Sequence, residues 1–183
     1  MNFDAIDKGY DVRAAIPGDI NEHMPKLREY ALMSDRIVEF GVGWGCSTWS
    51  LLAGHPKWMR SYDIRRYEPH FSLLEATAAA AGMDYKILIQ SSTAEVIEPC
   101  DFLFIDSSHY YEHCLKELQM HGGQVKRFIA FHDTTEFEFT DENRQGRGLW
   151  PAIEEFMTAN PEWRVAERFT NCNGLTVLQR MLS

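Results

Sequence analysis

A chain of 183 residues suits one domain around one core. With 45% hydrophobic and 25% charged residues it has the profile of a water-soluble globular protein, and no run approaches the ~18 consecutive apolar residues of a membrane span. A formal net charge of -9 repels phosphate backbones and argues against a nucleic-acid partner.

The N-terminus, MNFDAIDKGYDVRAA, is polar and mixed in charge, without the basic-then-apolar order of a secretory leader. Cys46, Cys100, Cys114 and Cys172 form no CxxC and read as reduced structural thiols, so a cytoplasmic location is expected. Asp19–Ser34 predicts an opening helix, with Asp19 as N-cap, Glu22 completing a capping box, and Pro25 kinking or delaying the start. Arg36–Phe40 reads as a strand that runs into glycines, and Ser47–Ala53 as the next helix. Trp58–Asp63 is a second strand, Glu68–Ala81 an alanine-rich helix closed by Gly82, and Tyr85–Ile89 a third strand. Asp101–Ile105 is apolar enough for a strand covered on both faces. A helix at Tyr111–Met120, a strand at Arg127–Phe131 and a polar loop over 136–148 follow. Leu149–Ala159 is helical, with Pro151 in the tolerated first turn. Trp163–Thr170 and Leu175–Arg180, joined by Asn171–Gly174, read as an antiparallel hairpin.

This alternation predicts a single α/β domain over 1–183: a doubly wound, mostly parallel Rossmann-like sheet with helices on both faces and a C-terminal antiparallel β-hairpin. Residues 1–34 would form an N-terminal cap and 35–183 the core. Loop 136–148, with two phenylalanines, several acids, Arg144, Gly146 and Arg147, would be a lid.

The stretch VEFGVGWGCSTWSLL carries the strongest signal. Glycines at 41, 43 and 45 sit at the carboxyl end of a parallel strand, where such sheets bind ligands, and the next helix offers free N–H groups. The dinucleotide fingerprint G-x-G-x-x-G is not met, because Cys46 takes the third glycine's place and Gly45 comes one residue early. The pattern is E-x-G-x-G-x-G from Glu39. Asp63, at the end of the second strand, suits hydrogen bonds to ribose hydroxyls, which fits NAD and S-adenosylmethionine equally. Two features favour the latter. An acid at Glu39 would repel a pyrophosphate but help hold a cationic amino acid, and the closing hairpin is not needed by a simple dinucleotide fold.

Glu39–Gly45, Asp63 and the hairpin together resemble the class I S-adenosylmethionine-dependent methyltransferases, over about Asp19 to Arg180. The resemblance implies S-adenosyl-L-methionine as cofactor. Glu39, Gly41 and Gly43 would meet its methionine part, with Gly45 completing the loop. Asp63 would hold the ribose, Ile64 would lie against the adenine, and Ser91 or Ser92 would stand near it. Relatives often carry an acid at that last place, where this chain has QSS.

A second constellation lies in DFLFIDSSHYYEH and RFIAFHDTT. Asp106 ends the fourth strand, and His132 and Asp133 end the fifth. Neighbouring strand ends would bring these three onto one divalent cation, with His109 close by. This resembles the metal-dependent O-methyltransferases of the catechol, caffeoyl-CoA and macrolide-sugar types. In the last of these a histidine at the His109 place is the general base. By that resemblance Asp106, His132 and Asp133 would be metal ligands, and the activity a methyl transfer to a hydroxyl of a small polar, sugar-like acceptor. His132 replaces a carboxylate of those relatives, which suits Mn²⁺ or Fe²⁺ better than Mg²⁺ and leaves a metal-free site open. The expected partner is a small-molecule acceptor, with no membrane; self-association into a homo-oligomer stays open.

His109-Tyr-Tyr-Glu112-His113 also spells the inverted zinc-peptidase signature. It opens a helix inside a sheet fold already accounted for, so Glu112 and His113 are expected to be solvated. No G-x-S-x-G elbow supports a serine hydrolase. The rival readings are an NAD-dependent oxidoreductase on a related sheet, and a methyltransferase-like binding protein without catalysis.

Overall fold

The computed structural model describes residues 2–181. Its order is α1 (Asp4–Ala14), α2 (Met24–Leu32), β1 (Arg36–Phe40), α3 (Cys46–Leu52), β2 (Trp58–Asp63), α4 (His70–Ala80), β3 (Asp84–Ile89), β4 (Cys100–Ile105), α5 (Tyr111–His121), β5 (Val125–His132), α6 (Leu149–Ala159), β6 (Trp163–Phe169) and β7 (Leu175–Arg180). The seven strands form one sheet in the order β3-β2-β1-β4-β5-β7-β6. Strands β1 to β5 are parallel, and β7 runs antiparallel between β5 and β6. This is the doubly wound sheet with a closing hairpin that the alternation predicts.

The pleat explains why β4 is apolar throughout. Phe102 and Phe104 point to the face covered by α1 to α4, while Leu103 and Ile105 point to the face covered by α5 and α6. All four are buried, and each such side chain contributes roughly 1.5–3 kcal/mol. No helix among the described residues is long and apolar enough to cross a membrane.

The N-terminal segment departs from expectation. Helix α2 starts at Met24, after a 3₁₀ turn at Asn21–His23, and has no side-chain cap. Pro25 is the cause: it lacks an N–H and fits only the first turn, so the helix begins there and Asp19 and Glu22 lie before it. Helix α1 escapes the sequence reading because only Ile6 and Tyr10, four residues apart, are buried among its polar residues. These two join Ile20, Met24 and Leu27 in the core shared with Phe102 and Phe104.

Gly41 shows how closely β1 and β4 approach at their ends. Its φ is +85°, and a Cβ there would stand 1.9 Å from the Asp106 carbonyl oxygen. The strand ends are tied by Asp106 N–H to Phe40 O at 2.8 Å and Gly41 N–H to Tyr62 O at 2.9 Å. The site is assembled over this junction.

Candidate functional site

Two cavities open at the carboxyl ends of the strands and share Gly41, Gly43 and Asp106. The larger, about 410 Å³, is walled by Tyr62, Asp63 and Ile64 at the end of β2, Gln90–Ser92 after β3, and Ser107, Ser108 and His113 beyond β4. The smaller, about 180 Å³, lies among Asp19, Ile20, Trp44, Cys46 and Ser47. Of the residues assigned to a cofactor from sequence, Gly41, Gly43, Asp63, Ile64, Ser91 and Ser92 line the larger cavity.

Glu39 and Gly45 do not line either cavity. Glu39 is fully buried behind the loop. Its Oε1 accepts from Ser47 at 2.7 Å, and its Oε2 accepts from Ser61 at 2.6 Å and Thr48 at 2.9 Å. Strand β1 alternates, so Glu39 shares the inward face of Ile37 and meets the hydroxyls of α3 instead of a ligand. Burial pushes its carboxyl up to about 7 against those hydrogen bonds. Gly45 is the left-handed residue before α3, and a Cβ there would crowd Leu74.

Asp63 holds the glycine loop in shape. Its Oδ2 accepts the Val42 and Gly43 N–H groups, both at 3.1 Å, and its Oδ1 accepts from Arg65 N–H. Ile64 is exposed and forms an apolar wall. Ser91 and Ser92 are engaged with neighbours: Ser91 Oγ accepts from Thr93 N–H, and Ser92 Oγ donates to Glu117 at 2.5 Å.

The second constellation converges, with a change of membership. Asp106, His109 and Asp133 bring donor atoms within 4.8 Å of one another. His109 Nε2 lies 2.9 Å from Asp133 Oδ2 and 3.7 Å from Asp106 Oδ1. His132 faces the same carboxylates from behind, with Nδ1 at 3.5 Å from Asp106 and 3.4 Å from Asp133. Its Nε2 is held 3.1 Å from the carbonyls of both Asp19 and Cys172, so it carries the proton and ties the N-terminal segment to the hairpin loop. His109, read from sequence as a base, thus stands in the cluster where His132 was expected. The residue Asp133 has φ +60°, the turn that lets both His132 and Asp133 reach the same crevice.

Burial opposes the cationic form of both imidazoles, but Asp106 and Asp133 outweigh it, raising His109 to about 10 and His132 to about 11. For Asp106 and Asp133 burial works the other way, and the two histidines override it and lower both carboxyls. His109 is also gripped from outside the sheet. Glu142 Oε1 accepts its backbone N–H at 2.8 Å and lies 3.0 Å from Nδ1, while Phe137 stacks on the ring at 4.5 Å. Both partners belong to the 136–148 loop, a turn built on buried Asp141, which accepts from Asn143 and Gln145 N–H groups. Sequence reading passed over Glu142 as one loop acid among several; only its contact distinguishes it.

Helix α5 departs from expectation at His113. It is not a solvated residue: its Nε2 lies 3.1 Å from Glu117 Oε1, and Glu117 is fully buried. Ser107 also donates to that oxygen, at 2.8 Å.

No family model matches the chain, and no curated protein matches it. Solved structures do. A Corynebacterium glutamicum protein has a TM-score of 0.70 at 16% identity, covering 100% of this chain and 93% of its own. An O-methyltransferase from Bacillus cereus, solved with S-adenosylhomocysteine, scores 0.64 at 17% identity over 96% of this chain and 90% of its own. The methyltransferase PaMTH1 of Podospora anserina, also solved with S-adenosylhomocysteine, scores 0.62 at 14% identity over 98% and 88%. The fold is therefore that of S-adenosylmethionine-dependent methyltransferases.

Proposed function

We propose that the chain is an S-adenosylmethionine-dependent methyltransferase acting on a hydroxyl of a small polar acceptor. The observation that carries this reading is the meeting of two cavities at Gly41, Gly43 and Asp106, directly beside the Asp106–His109–Asp133 cluster. The larger cavity has the size and the Asp63 wall for a nucleoside, and the smaller takes an amino-acid tail. S-adenosylmethionine brings a sulfonium methyl group to the acceptor oxygen. The chain's part is to orient that oxygen and to receive its proton.

The cluster fits a divalent cation. Oδ1 of Asp133 is buried without a hydrogen-bond partner among the described residues, and two carboxylates with one imidazole within 4.8 Å are a donor set for Mn²⁺ or Fe²⁺ as well as Mg²⁺. Asp106, His109 and Asp133 would hold the ion, with His132 behind them, and it would lower the pKa of an acceptor hydroxyl. A metal-free reading is favoured by one observation: His109 and His132 already pair with Asp133 and Asp106, so the carboxylates are balanced without an ion. The acids Asp19, Asp106, Asp133 and Glu142 around the crevice disfavour anionic acceptors, which supports a neutral hydroxyl compound and speaks against nucleic acid.

Calorimetric titration with S-adenosylmethionine, S-adenosylhomocysteine and NAD, with and without Mn²⁺ or Mg²⁺, tests the reading. Micromolar binding of S-adenosylhomocysteine, lost in Asp63→Ala, is the expected result. Binding of NAD alone would replace it with an oxidoreductase. Mn²⁺ binding that disappears in Asp133→Asn would decide for the metal-dependent form.

A further inference from the structure

Glu117, in the middle of α5, is a fully buried acid that the reaction as described leaves unused. Its Oε1 collects three contacts from three places in the chain: the Ser92 hydroxyl at 2.5 Å, the Ser107 hydroxyl at 2.8 Å and His113 Nε2 at 3.1 Å. Ser92, Ser107 and His113 all line the larger cavity, so Glu117 stands directly behind its wall. Oε2 has no hydrogen-bond partner among the described residues. Glu117 raises the half-buried His113 above the usual imidazole value against the effect of burial, and the two form an ion pair. A buried ion pair adds little stability over apolar side chains of the same volume. This one supplies a fixed point for hydroxyls from two separate loops.

Ser107 is the more consequential of the two hydroxyls, because it follows Asp106. The Asp106–Ser107 peptide is clamped from both sides. On one side lies β1: Asp106 N–H donates to Phe40 O, and a Cβ on Gly41 would stand 1.9 Å from Asp106 O and 3.1 Å from Ser107 N. On the other side Glu117 holds the Ser107 side chain. The Asp106 carboxylate faces His109 at 3.7 Å and His132 at 3.5 Å, distances that a small shift of the turn would alter. Ser92 closes the same frame from the loop after β3, where His121 Nε2 also donates to the Ser92 carbonyl at 2.9 Å.

Resting on the reading of Asp106 as part of the reacting cluster, we infer that Glu117 is a positioning residue: through the Ser107 hydroxyl it fixes the Asp106 carboxylate, and through the Ser92 hydroxyl it holds the loop after β3 in register with it. Ser107 carries the effect on the cluster, and Ser92 does not.

The test compares wild type with Ser107→Ala, Ser92→Ala, Glu117→Gln and Glu117→Leu. Amide exchange is followed at Asp106, with Val177 in β7 as the reference, and Mn²⁺ is titrated into each protein. Ser107→Ala should quicken exchange at Asp106 and weaken Mn²⁺ binding, each about tenfold, while Val177 is unchanged. Ser92→Ala should leave both readings within about twofold of wild type. Glu117→Gln keeps an acceptor oxygen for both serines and should stay close to wild type, whereas Glu117→Leu should reproduce Ser107→Ala. If Asp106 and Val177 quicken together in Ser107→Ala and Glu117→Leu, Glu117 only stabilises the core and the inference falls. Unchanged exchange at Asp106 in both variants would overturn it equally. Should Glu117→Leu not fold, Ser107→Ala set against Ser92→Ala decides. A wild type that binds no Mn²⁺ would remove the metal-dependent form of the reaction alone, because exchange at Asp106 still decides on Glu117.

Discussion

Glu142 holds His109 at two points, through its backbone N–H and its Nδ1, and so ties the loop after β5 to the carboxylate cluster at the strand ends. Nδ1 faces Glu142 and Nε2 faces Asp133, so both ring nitrogens are directed at carboxylates. Glu142→Ala should therefore loosen both. Amide exchange should quicken across the loop, and Mn²⁺ affinity should fall about 10- to 100-fold. Glu142→Gln, whose amide oxygen accepts the same two bonds, should retain most of that affinity. Equal Mn²⁺ binding by the alanine variant and wild type would reduce Glu142 to a loop residue.

His132 carries two roles on two nitrogens, and amide substitutions separate them. Glutamine places an N–H near the Nε2 position, and asparagine places a polar atom near Nδ1. His132→Gln should keep the bonds to the Asp19 and Cys172 carbonyls and melt close to wild type. His132→Asn should melt lower, because two carbonyls lose their donor. If the order of melting temperatures is reversed, the tie between the N-terminal segment and the hairpin is not what His132 secures.

Glu39 makes stability depend on pH. Its folded pKa, about 7, lies above the ordinary carboxyl value of 4.5, so the folded protein binds a proton that the unfolded chain releases. The contribution is complete below pH ~4.5 and is lost as pH rises through about 7. Glu39→Gln, a fixed analogue of the protonated form, should be least favourable relative to wild type at pH 4.5 and gain on it by pH 8. Urea unfolding of both proteins at the two pH values measures this. A constant difference would mean that Glu39 does not titrate in this window.

Gly41→Ala is expected to be among the most damaging small substitutions. The added methyl would collide with the Asp106 carbonyl at 1.9 Å, at a φ of +85°. The strand ends must part, at a cost of roughly 3 kcal/mol or more and a melting temperature lower by roughly 10 °C. Nucleoside binding should be lost as well, since both cavities include Gly41. A melting curve superimposable on that of wild type would contradict the close approach of β1 and β4.

The order of elements was legible because periodicity and punctuation are local. Strand β4 announces itself by four apolar residues that alternate between two cores, and the hairpin by Asn173-Gly174. Helix α1 was not legible, because two buried residues among nine others leave almost no pattern. Glu39 was read as a ligand group because a carboxylate before a glycine loop suits a cationic tail. The hydroxyls that claim it come from α3 and β2, and no spacing rule pairs them.

The amino-acid sequence by itself determined the doubly wound sheet, its closing hairpin, and the placement of Asp63, Asp106, His109, His132 and Asp133 at strand ends on one edge. These follow from alternation, glycine and turn chemistry, which act between near neighbours in the chain. Only the tertiary structure decided which of those residues meet. His109 takes the place expected for His132, Glu142 crosses from a distant loop to hold it, and His113 turns inward to Glu117. The physical reason is that hydrogen bonds and ion pairs between separate elements depend on ångström-scale distances set by packing, and neither composition nor spacing encodes them.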